Sequence, residues 1–399
     1  MLLEVHGGGF GNKGAQLMLL TVLNRFRGTG AQFFMSPAAH LSSDALAEYG
    51  LLRHFPYPVA RGGRLFPPRF AANLALASAV PRSVCDRLGV VRYQDSDGLL
   101  DISGIRFGDA SSDTAGTNFI RLARYYRRRS KPVILLPQML GPFQKPRSAE
   151  LFRRLLVEAT LVFARDRQSY DHARGLVGAD PKLKLAPDIT VFCEVPQSQG
   201  REDAYGCIVP NARMLDRGQA AWGSTYADLL VAAAQTMIEA GLRPIVLVHS
   251  VESSEDNPLA AQVVRRVGPE RCEMRIADDP LETKAFIGNA KLIVSSRYHS
   301  IVSALSSGVP AIVMGWAHKY DTLLQEFGVP ELQQSPGDGR EQLCKLVANV
   351  ASDSENQRLR GIIRKSREAL MAPHEEMWRL VASALSLPED ALLQHRQAA

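Results

Sequence analysis

The feature that most constrains the fold is the segment 291–319, KLIVSSRYHSIVSALSSGVPAIVMGWAHK, in which two short apolar runs flank a helical stretch. Apolar runs of four or five residues bounded by Ser, Gly or Pro predict buried strands. Parallel strands joined by a helical crossover have their carboxyl ends at one edge of the sheet. The segment therefore predicts an α/β domain with Arg297, His299 and Lys319 at a single sheet edge.

Arg297 and His299 stand at the predicted start of the helix between these strands. A helix N-terminus with an arginine beside it is suited to a phosphate or a carboxylate, and a histidine there adds a titratable proton donor. A histidine that only makes a local hydrogen bond is the plainer alternative. The clustering of three cationic or titratable groups favours a functional site instead. We leave open whether His249, which follows another apolar run, binds substrate or merely belongs to a polar loop.

The length of 399 residues predicts two domains, because single cores rarely grow past about 250–300 residues. Apolar runs alternate with helical stretches on both sides of a polar segment at 194–204, which is the best linker candidate. We expect an N-terminal α/β domain over 1–195 and a second α/β domain over 203–350. Helices over 355–395 can pack back on the first domain. The economical arrangement is two Rossmann-like domains that face each other across a cleft.

The composition is that of a soluble globular protein with a mildly basic balance of +6. Such a balance suits anionic substrates or an anionic membrane surface, and nucleic acid is not an expected partner. One dense basic cluster lies at 121–131, RLARYYRRRSK, and is either a solvated helix face or a contact with the inner membrane surface. Five scattered cysteines and the lack of a signal-like start predict a cytoplasmic protein, at most peripheral to the membrane.

A glycine loop, HGGGFGNKGA at 6–15, follows the first strand, and Gly9, Gly11 and Gly14 satisfy the G-x-G-x-x-G pattern of dinucleotide sites. The acidic residue that would bind the ribose is missing at the end of the second strand, so the context argues against NAD(P). A P-loop is excluded because Ala and Gln follow Gly14 in place of Lys and Ser or Thr. A structural tight turn and a loop that binds an acceptor substrate remain as alternatives.

Arg165 closes another apolar strand, LVFA at 161–164, in the predicted first domain. An arginine at the carboxyl end of a strand faces the ligand crevice in this architecture. The alternative is a surface ion pair, either with the adjacent Asp166 or with Asp188 of the later strand-end segment Pro187-Asp188.

The segment SSRYH at 295–299, together with GVP at 308–310 and Lys319, resembles the polysaccharide pyruvyl transferase family. The likeness extends over residues 5–328 through GNKGA at 11–15, PQ at 137–138, GPF at 141–143, ARD at 164–166 and PD at 187–188. The family has a two-domain fold similar to GT-B glycosyltransferases. The resemblance implies transfer of the enolpyruvyl unit of phosphoenolpyruvate (PEP) to sugar hydroxyls, with a pyruvate ketal as the usual product.

The resemblance also implies roles for individual residues. Arg297 and Arg165 would bind the phosphate or carboxylate of PEP, Lys319 would add positive charge, and His299 would act as the general acid with Arg297 beside it. The acceptor, a glycan or a lipid-linked saccharide, would be bound by three residues of the N-terminal half: Asn12, Asp109 and Gln138. PEP is then a co-substrate, and neither a metal nor another cofactor is expected.

Two other classes of function remain open. One is a metal-independent glycosyltransferase of the same architecture, in which Arg297 and Lys319 would hold the diphosphate of a nucleotide sugar. The other is a non-enzymatic anion-binding protein, against which the combination of Arg297, His299 and Lys319 argues.

Overall fold

The computed structural model describes residues 1–10, 12–35, 43–54, 80–88, 90–195, 204–216, 222–249, 256–315 and 318–393. The chain divides into two compact units. The first comprises Met1–Phe10, Met18–Ile189 and Ala372–Ala399, and the second comprises Gly11–Leu17 and Thr190–Met371. Each unit contains a parallel sheet with helices, so the predicted α/β class with two Rossmann-like domains is confirmed.

The first unit is built on a parallel sheet with the strand order β4-β3-β2-β1-β5-β7-β8-β9, in which β6 also pairs with β7. The strands are β1 Leu2–His6, β2 Gln32–Met35, β3 Leu51–His54, β4 Val90–Val91, β5 Gly98–Asp101, β6 Ile105–Phe107, β7 Val133–Leu140, β8 Leu161–Ala164 and β9 Leu183–Leu185. The helices are Lys13–Arg25, whose first turn groups with the second unit, Ser43–Glu48, Arg82–Leu88, Asp113–Arg127, Pro146–Glu158, Arg167–Val177 and Met371–Ala384.

The second unit has a six-stranded parallel sheet with the order β12-β11-β10-β13-β14-β15. Its strands are β10 Tyr205–Val209, β11 Arg243–Val248, β12 Glu273–Ile276, β13 Leu292–Ser295, β14 Ala311–Met314 and β15 Gln333–Gln334. Its helices are Tyr226–Glu239, Asp256–Val267, Pro280–Gly288, Tyr298–Ser306, His318–Glu326, Gly339–Ala351 and Asp353–Ala369. No described helix is both long enough and apolar enough to cross a bilayer.

Burial explains which strands the sequence revealed. Every residue of β8, β13 and β14 is buried, because helices cover both faces of a parallel sheet, and such strands read as largely apolar runs. The edge strand β12, with the sequence EMRI, is partly exposed along its whole length. It carries no apolar run, and the sequence pattern therefore did not predict it.

The unit boundaries differ from the predicted domains of 1–195, 203–350 and 355–395. Apart from the short segment Gly11–Leu17, which groups with the second unit, the chain passes between the units at Ile189/Thr190 and again at Met371/Ala372. The last two long helices are thus split, with Asp353–Ala369 in the second unit and Met371–Ala384 in the first. Composition marks polar segments, whereas the units are defined by packing. Most of the predicted linker, 196–203, lies outside the described residues.

A buried histidine fastens the helix Met371–Ala384 to the first unit. His374 is fully buried, and its Nε2 lies 2.8 Å from Nη2 of Arg25 and accepts a hydrogen bond of 3.1 Å from Nε1 of Trp378. The Arg25 guanidinium also lies 5.2 Å from the centre of the Trp378 ring. Because both neighbours are donors, Nε2 acts as the acceptor and the ring carries its proton on Nδ1.

We predict that His374→Ala lowers the free energy of unfolding by about 1–3 kcal/mol, because a buried acceptor for Arg25 and Trp378 is lost. Urea denaturation followed by tryptophan fluorescence measures this change. The control is Glu376→Ala on the exposed face of the same helix, for which a change within about 0.5 kcal/mol is expected. Equal effects of the two substitutions would contradict the anchoring role of His374.

Candidate functional site

The candidate site lies at the carboxyl edge of the second sheet. Strand β13 pairs in parallel with β10 and β14, and β10 pairs in parallel with β11, so all four strands end at this edge. Polar groups follow each strand end: Asn211 after β10, His249 after β11, Arg297 and His299 after β13, and Lys319 after β14. The predicted grouping of Arg297, His299 and Lys319 is a direct result of this pairing.

Arg297 occupies the N-cap position of the helix Tyr298–Ser306, and no side chain caps that helix. Its backbone N–H donates to Oγ of Ser295 at 3.0 Å, and its Nη2 donates to Oδ2 of the fully buried Asp256. Asp256 in turn accepts a hydrogen bond from the backbone N–H of Ala212 at 2.8 Å. The guanidinium is thus held along one side by a fixed carboxylate. Its Nε has no hydrogen-bond partner in the described part of the chain.

Buried hydrogen bonds fix the turn between β13 and this helix. The Ser296 carbonyl accepts from Nδ2 of Asn211 at 3.1 Å and from the Tyr320 hydroxyl at 3.0 Å. The Ser296 hydroxyl accepts from the Tyr226 hydroxyl at 2.8 Å. Burial raises the pKa of Tyr226 to about 12, so this phenol stays a donor at neutral pH. The start of the helix, with Arg297 and His299, is therefore held from three neighbouring elements.

His299 and Lys319 both lie next to tyrosine rings. The half-buried His299 ring meets the Tyr298 ring edge-to-face, with 5.4 Å between the ring centres. The Lys319 ammonium lies 5.4 Å from the Tyr298 ring and 5.2 Å from the Tyr320 ring, which is cation–π range. The Tyr298 ring thus contacts both the imidazole of His299 and the ammonium of Lys319 at the start of the helix Tyr298–Ser306.

Sequence reasoning missed Lys13 as part of this site and left the role of Asp256 unassigned. Lys13 is only 7% exposed, donates to the Asp278 carbonyl, and lies 3.2 Å from Oε1 of Gln16. Its only signal was its position inside the glycine loop. Asp256 follows a polar stretch of the sequence, and no local pattern indicates that it pairs with Arg297, 41 residues further along the chain.

His249 reports on the charge of this edge. Burial lowers its pKa to about 3, and the positive charges of His299, Arg297 and Lys13 act in the same direction. His249 is therefore neutral near pH 7, and the groups that depress its pKa share its surroundings. The histidine that the sequence left open thus belongs to the carboxyl edge beside Arg297 and His299.

Arg165 belongs to the first unit. It follows β8, is 4% exposed, and its Nη1 donates to Oδ2 of Asp188 at 3.4 Å. The pair with Asp188 is one of the two partners expected from the sequence, but it is buried, whereas a surface pair was expected. Burial gives the guanidinium a fixed position. Its role in binding PEP stays a prediction.

Gln138 takes part in a buried polar cluster at the carboxyl ends of β5 and β7. Asp101 accepts hydrogen bonds from Nε2 of Gln138 at 3.1 Å, the Ser103 hydroxyl at 3.0 Å and both Nη2 and Nε of Arg106. Burial acts to raise the pKa of Asp101, but Arg106 and the hydrogen bonds outweigh it and the pKa is lowered. Oε1 of Gln138 is buried with no hydrogen-bond partner among the described residues. The sequence singled out Gln138 but missed Asp101, an acid that ends an apolar strand.

Asp109 and Asn12 make local hydrogen bonds. The Asp109 carboxylate accepts from the backbone N–H groups of Gln144 and Lys145 at 2.9 and 3.0 Å, and from the Ser148 hydroxyl, and so orders the start of the helix Pro146–Glu158. Oδ1 of Asn12 accepts from the backbone N–H of Gly14 at 3.0 Å. The acceptor-binding roles assigned to both residues stay predictions.

The two parallel α/β units define a protein of the GT-B class, and solved structures share this fold. A putative UDP-N-acetylglucosamine 2-epimerase from Listeria monocytogenes matches with a TM-score of 0.63 at 12% identity, over 97% of this chain and 98% of the other. The S. aureus MnaA–UDP co-structure matches with a TM-score of 0.61 at 11% identity, over 97% of both chains. The spinosyn rhamnosyltransferase SpnG matches with a TM-score of 0.53 at 16% identity, over 96% and 99%.

The family is shown by the sequence. The model of the polysaccharide pyruvyl transferase family matches residues 12–318, and the chain belongs to this family. The matched range includes Arg165, Arg297, His299 and the N-terminal Asn12. No sequence among curated proteins matches this chain.

We predict that His249 makes the stability of the protein depend on pH. The unfolded chain binds a proton at this side chain below about pH 6.5, whereas the folded protein does so only near pH 3, so acid favours unfolding. Between pH 7 and pH 5 this group alone should lower the free energy of unfolding by about 2 kcal/mol. Urea denaturation of the wild type and His249→Gln at both values measures the difference. The same pH dependence in both proteins would contradict the prediction.

Proposed function

We propose that this chain transfers the enolpyruvyl unit of PEP to hydroxyls of a cell-surface glycan or its lipid-linked precursor, and that the product is a pyruvate ketal. The observation that carries the proposal is Arg297, held by Asp256 at an uncapped helix N-terminus with His299 next to it, in a member of the polysaccharide pyruvyl transferase family.

The second unit supplies groups suited to the donor. PEP carries a phosphate and a carboxylate, so its binding requires several fixed cations and N–H donors. The Asp256 contact fixes the orientation of Arg297, and the amides of the first helical turn add positive potential. Lys319 contributes a further charge, and Arg165 is proposed as an additional ligand from the first unit.

The proposed reaction begins with protonation of the methylene carbon of PEP by the His299 imidazolium, which makes the adjacent carbon oxocarbenium-like. A sugar hydroxyl adds to that carbon and gives its proton to the His299 imidazole, which is neutral after the first step. A second hydroxyl then closes the ring as phosphate leaves. The net products are the ketal and inorganic phosphate, and this sequence of steps requires no redox change.

The cluster around Asp101 supports the proposal that the first unit binds the sugar. Buried carboxylate and amide groups with hydrogen-bonding capacity orient hydroxyls in carbohydrate and other small-molecule sites. Oε1 of Gln138 is proposed to accept a hydrogen bond from such a hydroxyl. Arg106 donates to the carboxylate of Asp101, which also accepts from Gln138. Asn12 and Asp109 are proposed as further acceptor ligands on the family resemblance.

Transfer from a nucleotide sugar is the alternative to be tested. The solved structures named above include epimerases and a glycosyltransferase, one of them with UDP, but identities of 11–16% establish the fold alone. Thermal-shift measurements with PEP and with UDP- and GDP-sugars distinguish the two donors, because a ligand that binds the folded state stabilises it by an amount that grows with the logarithm of its concentration relative to Kd.

We predict that His299→Ala lowers phosphate release from PEP and acceptor by 10²-fold or more, roughly the contribution of a general acid, while PEP still raises the unfolding midpoint. Arg297→Gln should lose both turnover and the PEP-induced shift. Arg271→Gln, on an exposed arginine of the same unit, is the control and should retain both. The proposal fails if PEP neither binds nor is consumed, and a shift with nucleotide sugars alone would support the alternative.

We further propose that the basic cluster at 121–131 contacts an anionic membrane. The helix Asp113–Arg127 packs against Pro146–Glu158, and Arg127, Arg128 and Arg153 are exposed on this pair of helices. Val157 on the second helix is 67% exposed. Other arginines here are neutralised, as in the Arg124–Glu158 pair at 2.6 Å. Exposed cations and an exposed apolar side chain on one pair of packed helices suit a peripheral contact with acidic lipids, where a lipid-linked acceptor would be found.

We predict that combined Arg127→Gln, Arg128→Gln and Arg153→Gln substitutions weaken co-sedimentation with phosphatidylglycerol-containing vesicles, by roughly fivefold for each charge removed. A triple control on the second unit, Arg265→Gln, Arg271→Gln and Arg340→Gln, removes the same net charge from exposed positions and should bind nearly as the wild type does. Equal losses in the two triple variants, or no binding by the wild type, would contradict a specific membrane face.

A further inference from the structure

Gly14 of the glycine loop leaves room for the imidazole of His299. A Cβ atom built on Gly14 would lie 2.1 Å from Nδ1, 2.4 Å from Cγ and 2.8 Å from Cβ of His299. Side-chain carbons do not approach other atoms this closely, so any residue other than glycine at position 14 must displace the ring. Both residues belong to the second unit.

Backbone conformation does not explain this glycine. Gly14 is the second residue of the helix Lys13–Arg25 and is not one of the glycines with a positive φ. Alanine is a better helix former than glycine at such a position, because glycine has more backbone freedom to lose. The contact with His299 is therefore the feature that requires the absence of a side chain.

Neither side of the contact can easily withdraw. On one side, the backbone N–H of Gly14 donates to Asn12, and the buried Lys13 donates to the carbonyl of Asp278. On the other side, His299 lies in the first turn of its helix, and its carbonyl accepts from the Ser303 hydroxyl at 2.7 Å. An added methyl group would thus rotate the His299 ring away, and its 2.8 Å approach to Cβ of His299 would in addition strain the two helix starts.

We propose that Gly14 is a positioning residue, whose missing side chain holds the His299 imidazole in one orientation. Gly14, one of the three glycines that satisfy the dinucleotide pattern, thus makes room for a histidine ring and not for a nucleotide. The consequence for catalysis rests on the proposed role of His299 as the acid, whereas the packing relation does not. A misplacement of about 1 Å in a catalytic group costs on the order of 10²-fold in rate.

A double-mutant cycle tests the proposal. Gly14→Ala is made in the wild type and in His299→Ala, and the unfolding midpoint of all four proteins is measured. We expect Gly14→Ala to lower the midpoint clearly in the wild type and much less in His299→Ala, where the contacts with the ring are gone and only the 2.8 Å approach to Cβ of residue 299 is left. Equal destabilisation in both backgrounds, or none in either, would overturn the proposal.

Kinetics and NMR provide the second readout. With PEP as substrate, Gly14→Ala should lower kcat at least tenfold and change KM for PEP by less than about twofold, since ring orientation affects the proton transfer more than donor binding. The ring resonances of His299 should shift in Gly14→Ala. If the double-mutant cycle shows coupling between Gly14→Ala and His299→Ala, but kcat and the ring resonances of Gly14→Ala are unchanged, the positioning role is overturned.

The matched control is Gly361→Ala in the helix Asp353–Ala369 of the same unit, where no atom lies within 4 Å of an added Cβ. It should keep wild-type kcat and His299 resonances and unfold at the same or a higher midpoint. If the wild type does not turn over PEP but the stability cycle is coupled, the proposed function fails and the Gly14–His299 packing stands.

Discussion

The candidate site depends on the parallel pairing of β13 with β10 and β14. Parallel pairing brings the carboxyl ends of these strands to one edge, so residues far apart in sequence become neighbours there. The turn that follows β13 is fixed by hydrogen bonds to Ser296 from Asn211, Tyr226 and Tyr320. Without these bonds the helix start would be a flexible loop end. With them, Arg297 and His299 have defined positions before any ligand arrives.

Electrostatics give this edge its chemical character. His299, Arg297 and Lys13 place positive charge around the buried His249, and the buried Asp256 offsets part of it while orienting the Arg297 guanidinium. His249 therefore stays uncharged near pH 7, because its burial and these charges both lower its pKa. An incoming dianion would relieve the repulsion. This positive edge is the electrostatic basis of the proposal that the donor is an anion.

The glycine loop shows how one sequence pattern can serve different physical requirements. In a dinucleotide site, glycines permit close approach of a pyrophosphate. In this protein Gly14 permits close approach of a histidine ring, and Lys13 reaches the carbonyl of Asp278. Gly7, near the start of the loop, has a φ of +87° and lies against Ser103 within the first unit, so its backbone has the conformation of a tight turn. The spacing alone could not distinguish these uses.

The sequence by itself determined the α/β class, the buried strands β8, β13 and β14, and the position of Arg297 and His299 after a strand. These follow from local apolar runs, because strands covered on both faces must be apolar throughout. Only the tertiary structure decided that Asp256 holds Arg297 and that Gly14 faces His299. It also decided that the chain leaves one unit for the other at positions that include Ile189/Thr190 and Met371/Ala372. Such contacts join residues tens to hundreds of positions apart. They depend on how elements pack, for which no local periodicity exists.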